Sequence, residues 1–197
     1  SSGWIGEQLI KFPALLDEVL DPMERQEPLT KAGLQAALEM EFGRIDENDE
    51  EEVLNLFRHF KNRQVLRVAA TDILSVFPVM KVSDHLTWIA EVLLEKALQV
   101  AREKLVEKHG EPRFLIDGES HVAQMGLVAY GKLGGIELGY GSDLDLVFFH
   151  DSHGEKQYTV GDKCIDNATF FARLVQRLVN IMTVFTSAGS VYEIDLR

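Results

Sequence analysis

Two aspartates one residue apart, Asp143 and Asp145, sit in an apolar run directly after a glycine-rich segment, Gly131-Lys132-Leu133-Gly134-Gly135-Ile136-Glu137-Leu138-Gly139-Tyr140-Gly141-Ser142. Residues two apart on a β-strand share a face, so Asp143 and Asp145 project together while Leu144, Leu146 and Phe148 point into a core. Such a strand has to find apolar cover on one side. On the other, two like charges held this close repel unless a cation lies between them. A hard cation such as Mg²⁺ is bound by carboxylate oxygens, with phosphates commonly completing its shell. The glycines supply the complementary half, because backbone without a Cβ approaches an anion closely and turns its N–H groups towards it. Gly134, Gly135, Ser142 and Lys132 are therefore the candidate phosphate contacts. The P-loop pattern is absent, since Gly131-Lys132 is followed by Leu133, and the glycine spacing does not fit the dinucleotide fingerprint either.

A third aspartate, Asp195, lies in a later strand-like run, 191–196, with Tyr192, Ile194 and Leu196 expected on its opposite, core-facing side. An acid on the non-core face of a neighbouring strand can join the first pair. Two cations about 3.5 to 4 Å apart, held by such a set, activate an attacking hydroxyl and stabilise a leaving oxygen.

Around this feature the chain divides in character. Up to residue 112 helical periodicity dominates: a short amphipathic stretch through Leu9, Leu15, Leu16, Val19 and Leu20, a segment opening near Pro28, an acidic run at 46–52 before Val53, Leu56, Phe57 and Phe60, a further segment at 65–76, and a long helix at 83–108 with Ser83 as its expected N-cap. The acidic run reads as a solvated helix start favoured by the macrodipole. From 113 to 197 strands are expected at 125–130 (buried), 144–149 and 191–196, with a helix at 165–182 whose Phe171, Leu174, Val175, Leu178 and Met182 form a core face. The expected fold class is α+β, a helical N-terminal region whose last long helix packs on a small mixed-sheet core.

Several tempting groups have plainer readings. His150, Asp151 and His153 read as a polar loop rather than a metal cluster, His85 as a packed residue beside Trp88, and Cys164 as a buried inert thiol at a helix start. Arg197 serves a nucleotide or pairs with an acid. With 46% hydrophobic residues the chain can fill a core, and a formal charge of −12 argues against tracking a nucleic-acid backbone. The single cysteine excludes an intrachain disulfide and a cysteine zinc site and fits a reducing, cytoplasmic setting. No apolar run approaches membrane-spanning length, and residues 1–10 lack a signal-peptide pattern. The missing initiator Met and the strand-like end are expected of an excerpt from a longer protein.

A glycine turn, Asp-x-Asp and a third strand carboxylate resemble the polymerase-β-like nucleotidyltransferase superfamily. Longer segments, "YGKLGGIELGYGSDLDLVFFHD" at 130–151, "PVMKVSDHLTWIAE" at 78–91, "LRVAATDI" at 66–73, "FPALLDEVLDP" at 12–22 and "VYEIDLR" at 191–197, resemble the bacterial glutamine synthetase adenylyltransferase family over nearly the whole chain. "ELGYGSDLDLVFFHD" and "SDHLTW" are closer to its adenylylating half. The resemblance implies Mg²⁺-dependent transfer of AMP from ATP to a tyrosine of glutamine synthetase in the regulation of nitrogen assimilation. It assigns Asp143, Asp145 and Asp195 as the metal-binding and catalytic residues, with a PII signalling protein as partner and glutamine as effector. Gly141 departs from the family, which commonly has serine there, and the family continues beyond Arg197, so the excerpt alone is expected to show little or no transfer. The rival readings are the adenylyl-removing half, which uses the same carboxylates, and a non-catalytic regulatory domain.

Overall fold

The computed structural model describes residues 29–73 and 78–196; the stretch through Leu9 to Leu20, Pro28, the end of the 65–76 segment and Arg197 lie outside them. Three helices come first. Helix α1, Lys31–Phe42, is capped by Thr30, whose Oγ1 accepts from the Gly33 N–H at 3.2 Å, and it buries Leu34, Leu38 and Phe42 at helical spacing. Helix α2, Glu50–Ile73, begins where Asp49 Oδ1 accepts the N–H groups of Glu51 and Glu52 at 3.0 and 3.1 Å. The acidic run is thus a helix start, and what the sequence divides at 60–65 is one uninterrupted helix, since no glycine or proline breaks it.

Helix α3, Val79–His109, starts earlier than expected: the cap is Pro78 (φ −62°, ψ 149°), and Ser83 lies inside the helix. Proline is set for an extended cap conformation, and Val82, buried at one face with Leu86 and Ile89, extends the apolar stripe back past Ser83. Gly110 ends it at φ +81°, where a Cβ would come within 1.9 Å of the Val160 carbonyl oxygen.

The sheet region holds more strand than the sequence reading expects. Strands β1, Glu111–Ile116, and β2, Glu119–Val122, form a hairpin, and β5, Glu155–Val160, pairs with the other edge of β1, so the first sheet is antiparallel with order β2-β1-β5. The second sheet has order β3-β4-β6, from β3, Met125–Ala129, β4, Leu144–His150, and β6, Ile194–Leu196. Here β3 and β4 are antiparallel, but β4 and β6 are parallel. A single helical turn, α4, Gly131–Gly134, joins β3 to the loop before β4, and helix α5, Asn167–Thr183, lies between β5 and β6.

Two strand expectations are corrected. Strand β3 is not buried: none of its residues is fully enclosed, because one face of the second sheet has no described layer over it, leaving Val128 and Phe149 exposed. Leu196 does not face the core but is 50% exposed near the end of the short β6, while the core positions of this run are Val191 and Tyr192 before the strand. Between the helices and the other face of the sheets a continuous apolar cluster runs from Leu34 and Phe57 through Leu93 and Ala97 to Leu144, Leu146, Phe170 and Leu178. The helical layer and the sheets thus share a core across residue 112, in an α+β architecture.

Candidate active site

Strand β4 is fixed by its alternation. Leu144 and Leu146 are both 0% exposed, each burial contributing about 1.5–3 kcal/mol, and a one-residue slip would expose them and bury the aspartates instead. Asp145 is consequently half-buried and Asp143 exposed, on the opposite face. The parallel pairing of β4 with β6 then sets Asp195 directly across from Asp145, with Leu144 opposite Ile194. Parallel neighbours need a crossover, and β5 with α5 occupies it. Of the three sequence-assigned aspartates, Asp145 and Asp195 therefore stand in lateral register on one strand pair, and Asp143 directly precedes β4. Among the described residues, no three His, Cys, Asp or Glu side chains are clustered as a ready-made metal cage.

The glycine segment is a helical turn rather than an open loop. Gly131 adopts φ +54°, and a Cβ there would sit 2.4 Å from Asp145 Oδ2, so only glycine lets that carboxylate lie against the chain. The Tyr130 N–H donates to the Asp145 carbonyl at 2.9 Å, tying the turn to β4. The Gly134 and Gly135 N–H groups donate to the carbonyls of Tyr130 and Gly131, both at 3.0 Å, so they are engaged within the turn. Their missing side chains serve the turn itself: a Cβ at Gly134 would lie 2.5 Å from the Ala129 carbonyl oxygen, and one at Gly135 3.3 Å from that of Gly131. Ser142 Oγ accepts from the Gly139 N–H at 3.0 Å, which leaves its own O–H as a donor. Lys132 is exposed and stands outside the cleft described next.

Asp143 and Ser142 open onto a cleft of ≈ 230 Å³ that also exposes Lys61, Asn62, Ser190 and Glu193. One wall is helix α2, held by bonds that cross the molecule. The Arg58 guanidinium, 0% exposed, donates to the carbonyls of Gly189, Val184 and Leu54, and Asn62 Nδ2 donates to the Ala188 carbonyl at 3.2 Å. Tyr140 O–H donates to Asp72 Oδ2 at 2.9 Å, and burial, then that carboxylate, raise its pKa well above the ordinary phenol value. None of Arg58, Lys61, Asn62 or Asp72 stands out in the sequence. Arg58, Lys61 and Asn62 do recur at i, i+3 and i+4, but a polar stripe of that spacing equally describes a solvated helix face.

The other polar groups make contacts of their own, and two expectations are corrected. His150 ends β4 instead of lying in a loop and stacks on Phe171 with centroids 4.7 Å apart, while in the loop that follows His153 Nδ1 meets the Asp151 carbonyl at 2.6 Å, and Asp151 Oδ1 accepts from the Gln124 N–H at 2.7 Å. His85 is buried edge-on to Trp88, and that burial lowers its pKa. Cys164, by contrast, is exposed: Asp166 caps α5 through Thr169, so the helix begins at Asn167 and leaves the thiol in the preceding loop.

Residues 1–197 match the family model of glutamate-ammonia ligase adenylyltransferase. Curated relatives named bifunctional glutamine synthetase adenylyltransferase/adenylyl-removing enzyme match all of this chain: 51% identity over 197 residues in Thioalkalivibrio sulfidiphilus, 44% in Pseudomonas aeruginosa, and 42% over 201 residues in Shewanella loihica. The chain spans 20%, 20% and 21% of these relatives' lengths, respectively. It belongs to the glutamate-ammonia ligase adenylyltransferase family.

Proposed function

We propose that this chain carries the adenylylating site of a glutamine synthetase adenylyltransferase, transferring AMP from ATP to a tyrosine of glutamine synthetase with Mg²⁺. The observation that carries the reading is the lateral pairing of Asp145 with Asp195 on parallel strands, with Asp143 two residues along the same face. The donor set fits a hard cation, since it is all carboxylate oxygen, and Gly131 leaves room for Asp145 Oδ2. Mg²⁺ is usually held by one or two carboxylates plus substrate phosphates, so a closed protein cage is not a requirement.

Asp143 and Asp145 hold the metal, which when bound neutralises phosphate charge and polarises the reacting oxygens. Asp195 completes the site and takes the proton from the tyrosine hydroxyl. A bond forms between the tyrosine oxygen and the α-phosphorus, and the bond from that phosphorus to the leaving pyrophosphate breaks. Ser142 donates its O–H to a phosphate oxygen, and Gly131, Gly134 and Gly135 form the nucleotide-side turn that leads towards it. Catalysis rests on positioning and charge neutralisation. Lys132 is a further phosphate contact of this reading, reached from its exposed position by side-chain extension.

Glutamine synthetase is the protein substrate, and a PII signalling protein with glutamine as effector regulates the reaction in the cytoplasm. The net charge of −12 supports a protein partner rather than nucleic acid. The relatives' name also includes adenylyl removal, which the same carboxylates serve. The deciding experiment follows label from α-labelled ATP onto glutamine synthetase, beside phosphate-dependent release of label from the adenylylated enzyme, using the full-length protein and an Asp143→Asn variant. Loss of transfer alone in the variant supports the adenylylating assignment; loss of release alone assigns the removing half, and loss of neither leaves a non-catalytic domain.

A further inference from the structure

We propose that Lys61, with Asn62 beside it on α2, binds the terminal phosphates of the nucleotide, the part that departs as pyrophosphate, from the helical wall of the cleft that holds Ser142 and Asp143. The proposal rests on the adenylyl-transfer reading above and adds to it a binding group outside the strand-and-glycine motif.

An ammonium is ordinarily solvated or paired with an acid. Lys61 is half-buried, and among the described residues no carboxylate forms an ion pair with it. Its recorded contact is the face of Tyr192, whose ring centroid lies 5.2 Å from Nζ. Desolvation pushes the Lys61 pKa down to about 8. A ring face compensates a desolvated charge only in part. An anion in the cleft would compensate it more completely.

The lysine is also held in place. Arg58, one turn earlier on α2, is bound to the carbonyls of Val184 and Gly189, and Asn62 to that of Ala188, so the helix and the segment leading to β6 form one wall assembly. The Asn62 amide thereby fixes α2 one residue beyond Lys61, at the cleft wall. The cleft as a whole carries both signs, Lys61 against Asp143 and Glu193. A bare anion would be repelled by the carboxylates and a bare cation by the ammonium. A metal-bound polyphosphate satisfies both, its cation at the aspartates and its terminal oxygens at Lys61. The competing reading is that Lys61 is a wall residue whose methylene stem merely covers Tyr192.

The test is calorimetric titration of the full-length protein with ATP and, separately, AMP, at saturating Mg²⁺ and again without Mg²⁺, comparing wild type with Lys61→Met, Lys61→Arg and Asp143→Asn. AMP lacks the terminal phosphates and serves as the control for folding and for the rest of the site. The expected result is that Lys61→Met weakens ATP binding by about tenfold or more while AMP affinity stays within about twofold, and that Lys61→Arg regains most of the loss, as a charged phosphate contact requires. Equal weakening for ATP and AMP would make Lys61 a wall residue and overturn the proposal. ATP affinity unchanged in Lys61→Met overturns it too, and if Asp143→Asn then still abolishes the Mg²⁺ dependence of ATP binding, the adenylyl-transfer reading survives alone. A wild-type protein that binds neither nucleotide sinks both.

Discussion

The two three-stranded sheets are of similar size and neighbours in the chain, yet they differ in how their strands meet. The β2-β1-β5 sheet is antiparallel throughout, and its first pair closes through the two-residue turn Asp117-Gly118, both at positive φ. Its edge strands present Glu119, Ser120, His121, Glu155 and Lys156 to solvent. The β3-β4-β6 sheet pairs β4 antiparallel on one side and parallel on the other; Asp145 and Asp195 lie on that parallel pair, and Asp143 directly precedes β4. An antiparallel neighbour can be returned by a turn, as β2 is to β1; a parallel one has to be returned by a crossover, which is how Asp195 reaches Asp145. On the proposed reading the chemistry sits at this parallel contact, and the antiparallel sheet is scaffold.

The strongest way to break that contrast is to neutralise one acid in each sheet. Asp143→Asn in the full-length protein is expected to reduce Mg²⁺-dependent AMP transfer by about a hundredfold or more with little change in thermal stability, whereas Glu155→Gln in β5 leaves transfer unchanged. Comparable losses, read by label transfer, would erase the distinction between the sheets.

The approach to β6 gives a second contrast, since among the described residues it is the segment anchored by a buried guanidinium. Arg58→Met leaves the Val184 and Gly189 carbonyls without their donor and is expected to cost roughly 2–4 kcal/mol in a denaturant titration. A midpoint at the wild-type value would show that this segment holds itself in place.

Two glycines with positive φ sharpen the comparison further. At Gly118, in the hairpin of the first sheet, a Cβ would meet nothing within 4 Å, so Gly118→Ala is expected to cost only about 1–2 kcal/mol of backbone strain and no activity. At Gly131 a Cβ would meet Asp145 Oδ2, so Gly131→Ala is expected to add roughly a tenfold loss of AMP transfer to a similar strain. Matching activities in the two variants would remove Gly131 from the site.

The smallest expected effect is a pH dependence from Lys61. Its folded pKa is about 8 against an ordinary 10.5, so between those values the unfolded chain binds more protons and stability rises with pH. Below about 8 both states are protonated and the full cost of the buried charge remains. Lys61→Met is expected to be at least as stable as wild type near neutrality and to lack the rise through this window. Parallel stability curves for the two proteins would contradict the desolvation of Lys61.

Much of this was legible in the sequence wherever the deciding interaction is local. The alternation of Leu144 and Leu146 with Asp143 and Asp145 announces β4, and the apolar stripe of α5 is read directly from Phe171, Leu174, Leu178 and Met182. The hairpin of β1 and β2 is hard to see although Asp117-Gly118 is a two-residue turn signal, because neither flanking run alternates apolar and polar residues over enough length. Ser83 suits a cap by residue type, but Pro78 already sets the chain for helix entry. Cys164 does not open the helix because Asp166, two residues later, is the better cap. The cleft wall was least legible of all. Arg58, Lys61 and Asn62 acquire their roles from Val184, Ala188, Gly189 and Tyr192, far along the chain, and no local pattern encodes that meeting.

On the proposed reading the parallel pair β4–β6 sets Asp145 and Asp195 around a cation. Mn²⁺, which favours the same oxygen ligands as Mg²⁺, reports on this directly by electron paramagnetic resonance titration of the full-length protein in the presence of ATP. Asp145→Asn and Asp195→Asn, on opposite strands of the pair, are each expected to weaken Mn²⁺ binding by roughly tenfold or more while the protein remains folded. Wild-type Mn²⁺ affinity in Asp195→Asn would contradict the account, reducing β6 to a strand that closes the sheet and takes no part in its chemistry.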